Sequence, residues 1–231
     1  MKIINNVFAV ALMFACGYAN AQSIFDFVAD ANSQERGFAT SYVKSVGGII
    51  LTVTAADGSG ASHPYLDSGH GGLGVCGTLT TAAVPQCTPS SDDNIRPGEI
   101  LKLSFNQAVT VNQMWFNNLH DGDKSLSGDK VKIAGNEYSV FQNSPGGLLA
   151  SFNGDWSPTT DGTTAKSFTF AANTEYWIEN PNSGGASTDN YEFYLSGMTV
   201  TAVPEPEIYA MLAVGLGLMG WTARRRRLVV A

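Results

Sequence analysis

The chain has 231 residues, of which 44% are hydrophobic and only 14% charged, with three cysteines and three histidines. Between Gln22 and Val203, eighteen acidic residues stand against eight basic ones, a net charge of −10. Such a surface excludes a nucleic-acid binder, argues against binding through anionic lipid headgroups, suits solubility outside the cell and can attract divalent cations.

The chain opens with Lys2 in a short polar start, an apolar run from Val7 to Ala15, and Ala19-Asn20-Ala21. This three-part order is that of a secretory signal peptide over residues 1–21, cut between Ala21 and Gln22, with Ala19 and Ala21 as the small residues read by signal peptidase. A lipoprotein signal at Cys16 fits less well, because Met13 and Phe14 occupy positions where Leu and a small residue are expected. The chain is thus expected to meet the Sec translocon and signal peptidase, and residues 22–202 to form one exported domain.

Within that domain, strand signals dominate. Asn32 to Lys44 could hold one short helix; no other segment has a sustained helical period. Ile49 to Thr54 is a β-branched run. Leu101 to Phe105 alternates with period two, as does Val109 to Val111 after an Asn106-Gln107 turn. Val131 to Ile133, Glu137 to Phe141, Phe168 to Phe170, Tyr176 to Ile178 and Tyr191 to Thr201 continue the pattern, separated by Gly, Asn, Asp and Ser clusters. These runs predict an all-β domain, an antiparallel sandwich of jelly-roll-like type. Asp57 to Pro97 and Ser144 to Thr164 read as long loops, a length that is usually functional. Cys76 and Cys87 are the two cysteines left after signal cleavage, and in an exported chain they predict a disulfide.

Catalytic motifs are lacking. His63, His70 and His120 are scattered, and neither a G-x-S-x-G elbow nor an H-E-x-x-H helix occurs. Asp92-Asp93 carries no weight as a catalytic pair in so acidic a chain. The reading is therefore of a protein that is not an enzyme. Asp121, Asp123, Ser125 and Asp129 place oxygens at short intervals and could converge on Ca²⁺, but Leu126 and Lys132 stand where an EF-hand needs Gly and Glu. A polar turn between the Trp115 and Val131 strands accounts for the same residues. Trp156, in the second long loop, is a candidate glycan contact, with packing at the end of the sandwich as the alternative. Trp115 and Trp177 lie in strands and are read as structural.

The tail is unlike the rest. Val203-Pro204-Glu205-Pro206 precedes Ile208 to Ala223, sixteen residues without a charge, and then Arg224, Arg225, Arg226 and Arg227. As a helix the apolar segment reaches about 24 Å, short for a bilayer core of about 30 Å but within what tilt and thinning accommodate. The arginines would stay cytoplasmic as a membrane stop. Gly215 to Gly220 spells G-x-G-x-x-G, but no acidic residue follows it, so no dinucleotide site is expected.

Those three parts in that order resemble the PEP-CTERM sorting signal of Gram-negative bacteria that make extracellular polysaccharide, here over residues 203–227. The resemblance implies an integral-membrane cysteine protease, the exosortase, as partner. It also implies transient anchoring in the inner membrane by the helix, then delivery to the cell surface or the biofilm matrix. GLGVC followed by SSDDNIRPGE resembles a pattern in other PEP-CTERM proteins with β-sandwich domains. A surface or matrix structural protein is the reading that follows; a carbohydrate-binding module that cross-links exopolysaccharide, possible with Ca²⁺, is the alternative.

Overall fold

The computed structural model describes residues 22–58, 60–69, 71–90, 92–117, 130–139, 154–156, 168–181, 192–204 and 211–221. The expected signal peptide, with Ala19 and Ala21, lies outside them. The described chain contains β1 (Gln22–Asp26), α1 (Phe27–Ser33), β2 (Arg36–Gly37), β3 (Tyr42–Val46), β4 (Ile49–Asp57), β5 (Gly60–Asp67) and β6 (Gly72–Cys76). It continues with β7 (Ile100–Phe105), β8 (Val109–Asn117), β9 (Lys130–Ile133), β10 (Asn136–Ser139), β11 (Gly154–Trp156), β12 (Phe168–Phe170), β13 (Tyr176–Glu179) and β14 (Tyr194–Ala202).

All pairings are antiparallel, in the order β10-β9-β13-β7-β4-β5-β6-β14-β8-β11, with β1 on β14, β12 on β8, β2 on β5 and β3 on β4. The layers of the expected sandwich are therefore halves of one curled sheet. β5 makes the bend: Ser62 pairs with Ala55 of β4, whereas His63 next to it pairs with Cys76 of β6. The alternation read in the sequence sets the inner face. In β7, Leu101, Leu103 and Phe105 are buried while Lys102 and Ser104 are only partly so. These residues share a core with Leu51, Val53 and Ile178 of the same half and with Val111, Met114, Phe116, Met198 and Val200 of the other. Phe25 of β1 meets Phe105 edge-on at 6.2 Å, closing the two halves on each other. Burying each such side chain contributes about 1.5–3 kcal/mol.

Two expectations are corrected. The helix is not at Asn32 to Lys44 but at Phe27–Ser33, where Asp26 caps it by accepting the Ala29 N–H at 2.9 Å. Two turns are too short to show a helical period, so the cap was the signal to read. This helix covers the outside of one half, packing Val28 on Trp115, and β14 beneath it is buried on both faces. Asp57 to Pro97 is not one long loop, since it holds β5 and β6. Its glycines suggested turns, but Gly74 serves close approach: a Cβ there would lie 1.9 Å from the Asp93 carbonyl oxygen.

Strand direction sorts the turns into two ends. At one end, the β3–β4 turn at Gly47-Gly48 has φ of 59° and 83°, as a type I′ hairpin requires, and it packs against Ser23. Asn106, between β7 and β8, is tied to it: its N–H reaches the Ile50 carbonyl at 3.0 Å and its side-chain amide reaches Gly48 at 3.3 Å. The Asn173 N–H, between β12 and β13, donates to the Phe105 carbonyl at 2.7 Å. At the other end lie Asp57 and Glu179, closing β4 and β13, together with the segment 92–99 and Glu192 just before β14.

Candidate sorting site

β14 carries the chain directly into the tail. Ala202 pairs with Val109, and the Val203 N–H still donates to the Ala108 carbonyl at 2.9 Å. The ladder stops at Pro204, which has no N–H to give. The extended approach to the motif is thus built by the sheet, and the motif begins without a spacer. Across β14 from β8 lies β1, with Gln22 opposite Thr201. The residue predicted to follow signal cleavage therefore sits beside the last turns of chain before the motif.

Residues 211–221 are helical, with Met211 73% and Trp221 56% exposed. Among the described residues, no helix is long and apolar enough to cross a membrane. Glu205, Pro206 and Arg224 to Arg227 lie outside the described residues, so the predicted span from Ile208 to Ala223 is described only in its middle.

Cys76 and Cys87 form a disulfide, with their Cα atoms 5.8 Å apart. The bridge packs on Tyr65, whose hydroxyl lies 2.9 Å from both Glu35 Oε1 and Gln86 Oε1, its single proton directed to this acceptor pair, and Leu79 fills the space over Gly37. Burial first, and the Glu35 carboxylate second, push the Tyr65 phenol well above its ordinary range, so it stays a donor. The looped segment 77–86 is thereby fastened to β2 and β5.

The SSDDNIRPGE stretch is a polar clamp between sheet ends. Arg96 pairs with Asp92 and with Glu192 (3.0 Å), Asn94 donates to Glu192 at 2.6 Å, and the Tyr194 hydroxyl donates to Asp93 at 2.8 Å. Asp92 and Asp93 thus hold structure together in different directions and do not face each other as a pair. Glu99 accepts the Arg96 N–H at 2.7 Å. Burial pushes its carboxyl up to about 7, against the opposing pull of that N–H and the Arg96 charge.

An open groove of about 370 Å³ runs between α1 and β3, lined by Asp30, Arg36, Phe38, Tyr42 and Lys44 among others. Its charges are already engaged: Lys44 and the Tyr42 hydroxyl both meet Asp30, and Arg36 lies 5.1 Å from the Phe38 ring centre. The candidate Ca²⁺ residues Asp121, Asp123, Ser125 and Asp129 lie outside the described residues. Among the described residues, no group of three or more His, Cys, Asp or Glu could hold a metal ion. Trp156 ends β11 opposite Met114, and its side chain is outside the description. Trp115 is buried as read, but Trp177, read as structural, is 44% exposed with the Lys102 ammonium 5.5 Å from its ring centre.

Residues 202–227 match the family model of the PEP-CTERM protein-sorting motif. The match starts at Ala202, the residue on which β14 ends. The chain thus carries the mark of an exported protein, one that an exosortase sorts to the cell surface. No curated protein and no solved structure matches it.

Proposed function

We propose that this chain is a structural protein of the cell surface or biofilm matrix, without a catalytic role. In this reading the Sec translocon exports it, signal peptidase cuts before Gln22, and the helix around 211–221 holds it in the inner membrane until exosortase cuts at the motif. The single observation that carries the reading is the matched motif emerging directly from a doubly buried strand. A disulfide-pinned β domain whose last strand reaches the cleavage region suits a part that must stay folded after its anchor is removed. Mass spectrometry of surface protein should find a C-terminus near Val203 to Pro206. An intact Arg224 to Arg227 cluster on most of the mature protein would refute sorting and leave a membrane anchor.

A second reading, binding of exopolysaccharide, is favoured by the exposed Trp177 ring, because an accessible aromatic face can stack on sugar. Saturable binding to the producer's polysaccharide, lost in Trp177→Ala or Trp156→Ala, would favour it. Added Ca²⁺ raising the melting temperature, with the rise lost in Asp123→Ala, would add a metal.

A further inference from the structure

We infer that the end of the sheet from which the motif leaves is a membrane-facing surface, on which the domain stands against the lipid headgroups while anchored. The inference rests on the sorting reading above and adds an orientation to it. Three turns and both ends of the domain meet there: Gly47-Gly48, Asn106 to Ala108, Ala171 to Thr174, Gln22-Ser23 and Val203-Pro204. None of these residues has a charged side chain, nor has any from Val46 to Thr54, from Phe105 to Asn117 or from Phe193 to Pro204; signal cleavage would leave a single α-amino group there, on Gln22. Among the described residues, Glu175, following the third turn, and Lys44, paired with Leu51 level with Phe105, border this end. Among the described residues of a domain of net charge −10, that distribution leaves one end blank.

The tether makes the blank end matter. Val203 is held in the sheet, and the apolar run begins at Ile208, four positions beyond Pro204. Four residues span at most about 14 Å. The domain cannot retreat from the bilayer, so whichever face looks down lies within about two Debye lengths of the headgroups at physiological salt. Laid on its side, the domain would bring Asp57, Asp92, Asp93, Glu99 and Glu192 towards an anionic surface. Standing on the blank end lifts them by the length of β14, nine residues or about 30 Å, where salt screens the repulsion. Glu205 and Glu207 belong to the tether itself and stay at the surface in either orientation. The overall charge argues against lipid contact; its distribution permits it at one end.

The test uses chain recovered from a strain lacking exosortase, so that the tail is intact, in nanodiscs of phosphatidylcholine and phosphatidylglycerol with a paramagnetic chelate on some headgroups. Amide relaxation should be enhanced at Gly47, Gly48, Gln107, Ala108, Ala172 and Thr174 and not at Asp57 or Asp93. Gln107→Glu with Ala172→Glu should lower that enhancement at least about threefold in anionic discs, given roughly 1 kcal/mol per charge at such a surface, and leave it unchanged in phosphatidylcholine alone. Gly58→Glu with Pro97→Glu, adding the same charge at the acidic end, should change neither. Chain that fails to co-elute with discs would bring down the anchoring reading and this inference together. Chain that co-elutes with uniform enhancement, or with enhancement centred on the acidic end, would overturn the orientation alone. Protection of the blank end only when exosortase shares the disc would make it a protein-docking surface and overturn the membrane assignment.

Discussion

The two ends of this sheet are made of the same strands and differ in almost everything else. At the acidic end, backbone segments press together: the 92–99 segment lies against Gly74, and Arg96 binds Asp92 and Glu192. Buried carboxylates there are held by named donors. At the blank end, one hairpin turn and two links between the halves bond to one another through backbone groups and the Asn106 side chain and carry no side-chain charge. One end is fixed by packing and buried polar contacts; the other is a set of turns facing outward. A substitution of the same kind should therefore cost far more at the first end than at the second.

The largest expected effect is at Gly74. Gly74→Val must push the Asp93 backbone aside and should cost about 3 kcal/mol or more in urea unfolding. Next is the pH response of Glu99. Its folded pKa, about 7, lies above the ordinary 4.5, so the folded state holds the proton more tightly than the unfolded chain. The stability this provides is fully present below pH 4.5 and is lost as pH rises through 7, a difference of up to about 3 kcal/mol. Glu99→Gln should remove that dependence, so the variant gains on the wild type between pH 4.5 and 8; parallel stability curves would refute the buried-acid account. Replacing Cys76 and Cys87 by Ala opens a loop of sequence separation 11 and should cost about 2–3 kcal/mol by denaturant titration. At the blank end the effects shrink. Gly48→Ala meets no atom within 4 Å, and only its φ of 83° opposes the change, so about 1 kcal/mol is expected. Gln107→Glu should shift stability by less than about 0.5 kcal/mol while acting on membrane orientation. Equal costs for Gly74→Val and Gly48→Ala would erase the contrast between the ends.

Where a strand was missed, packing contradicted composition. His63 to Asp67 and Gly72 to Cys76 are rich in Gly and Pro, the residues of turns, yet both segments are strands because β4, β6, β14 and the 92–95 segment surround them. Trp177 lies in a strand, as expected, but on its open face. It alternates with buried Ile178 in a strand, and only the sheet's edge-to-edge order shows that its face is open. The sorting signal was fully legible, because Pro204, Pro206, an uncharged run and four arginines act through local chemistry that needs no neighbour.

The amino-acid sequence by itself determined the β class, the period-two inner face of β7 and β9, the disulfide partners and the sorting tail. Each of these rests on residues close together in the chain or, for the cysteines, on there being just two to pair in an exported protein. Tertiary structure alone decided that β5 bends one sheet into two halves, that Gln22 lies opposite Thr201, and that Asp57, Asp92, Asp93, Glu99 and Glu192 share the end away from the motif. Those outcomes depend on which strands pair and in which direction. Gln22 and Thr201 are almost a whole domain apart in sequence, and pairing over that distance is set by the shared core, whose contacts no local pattern encodes.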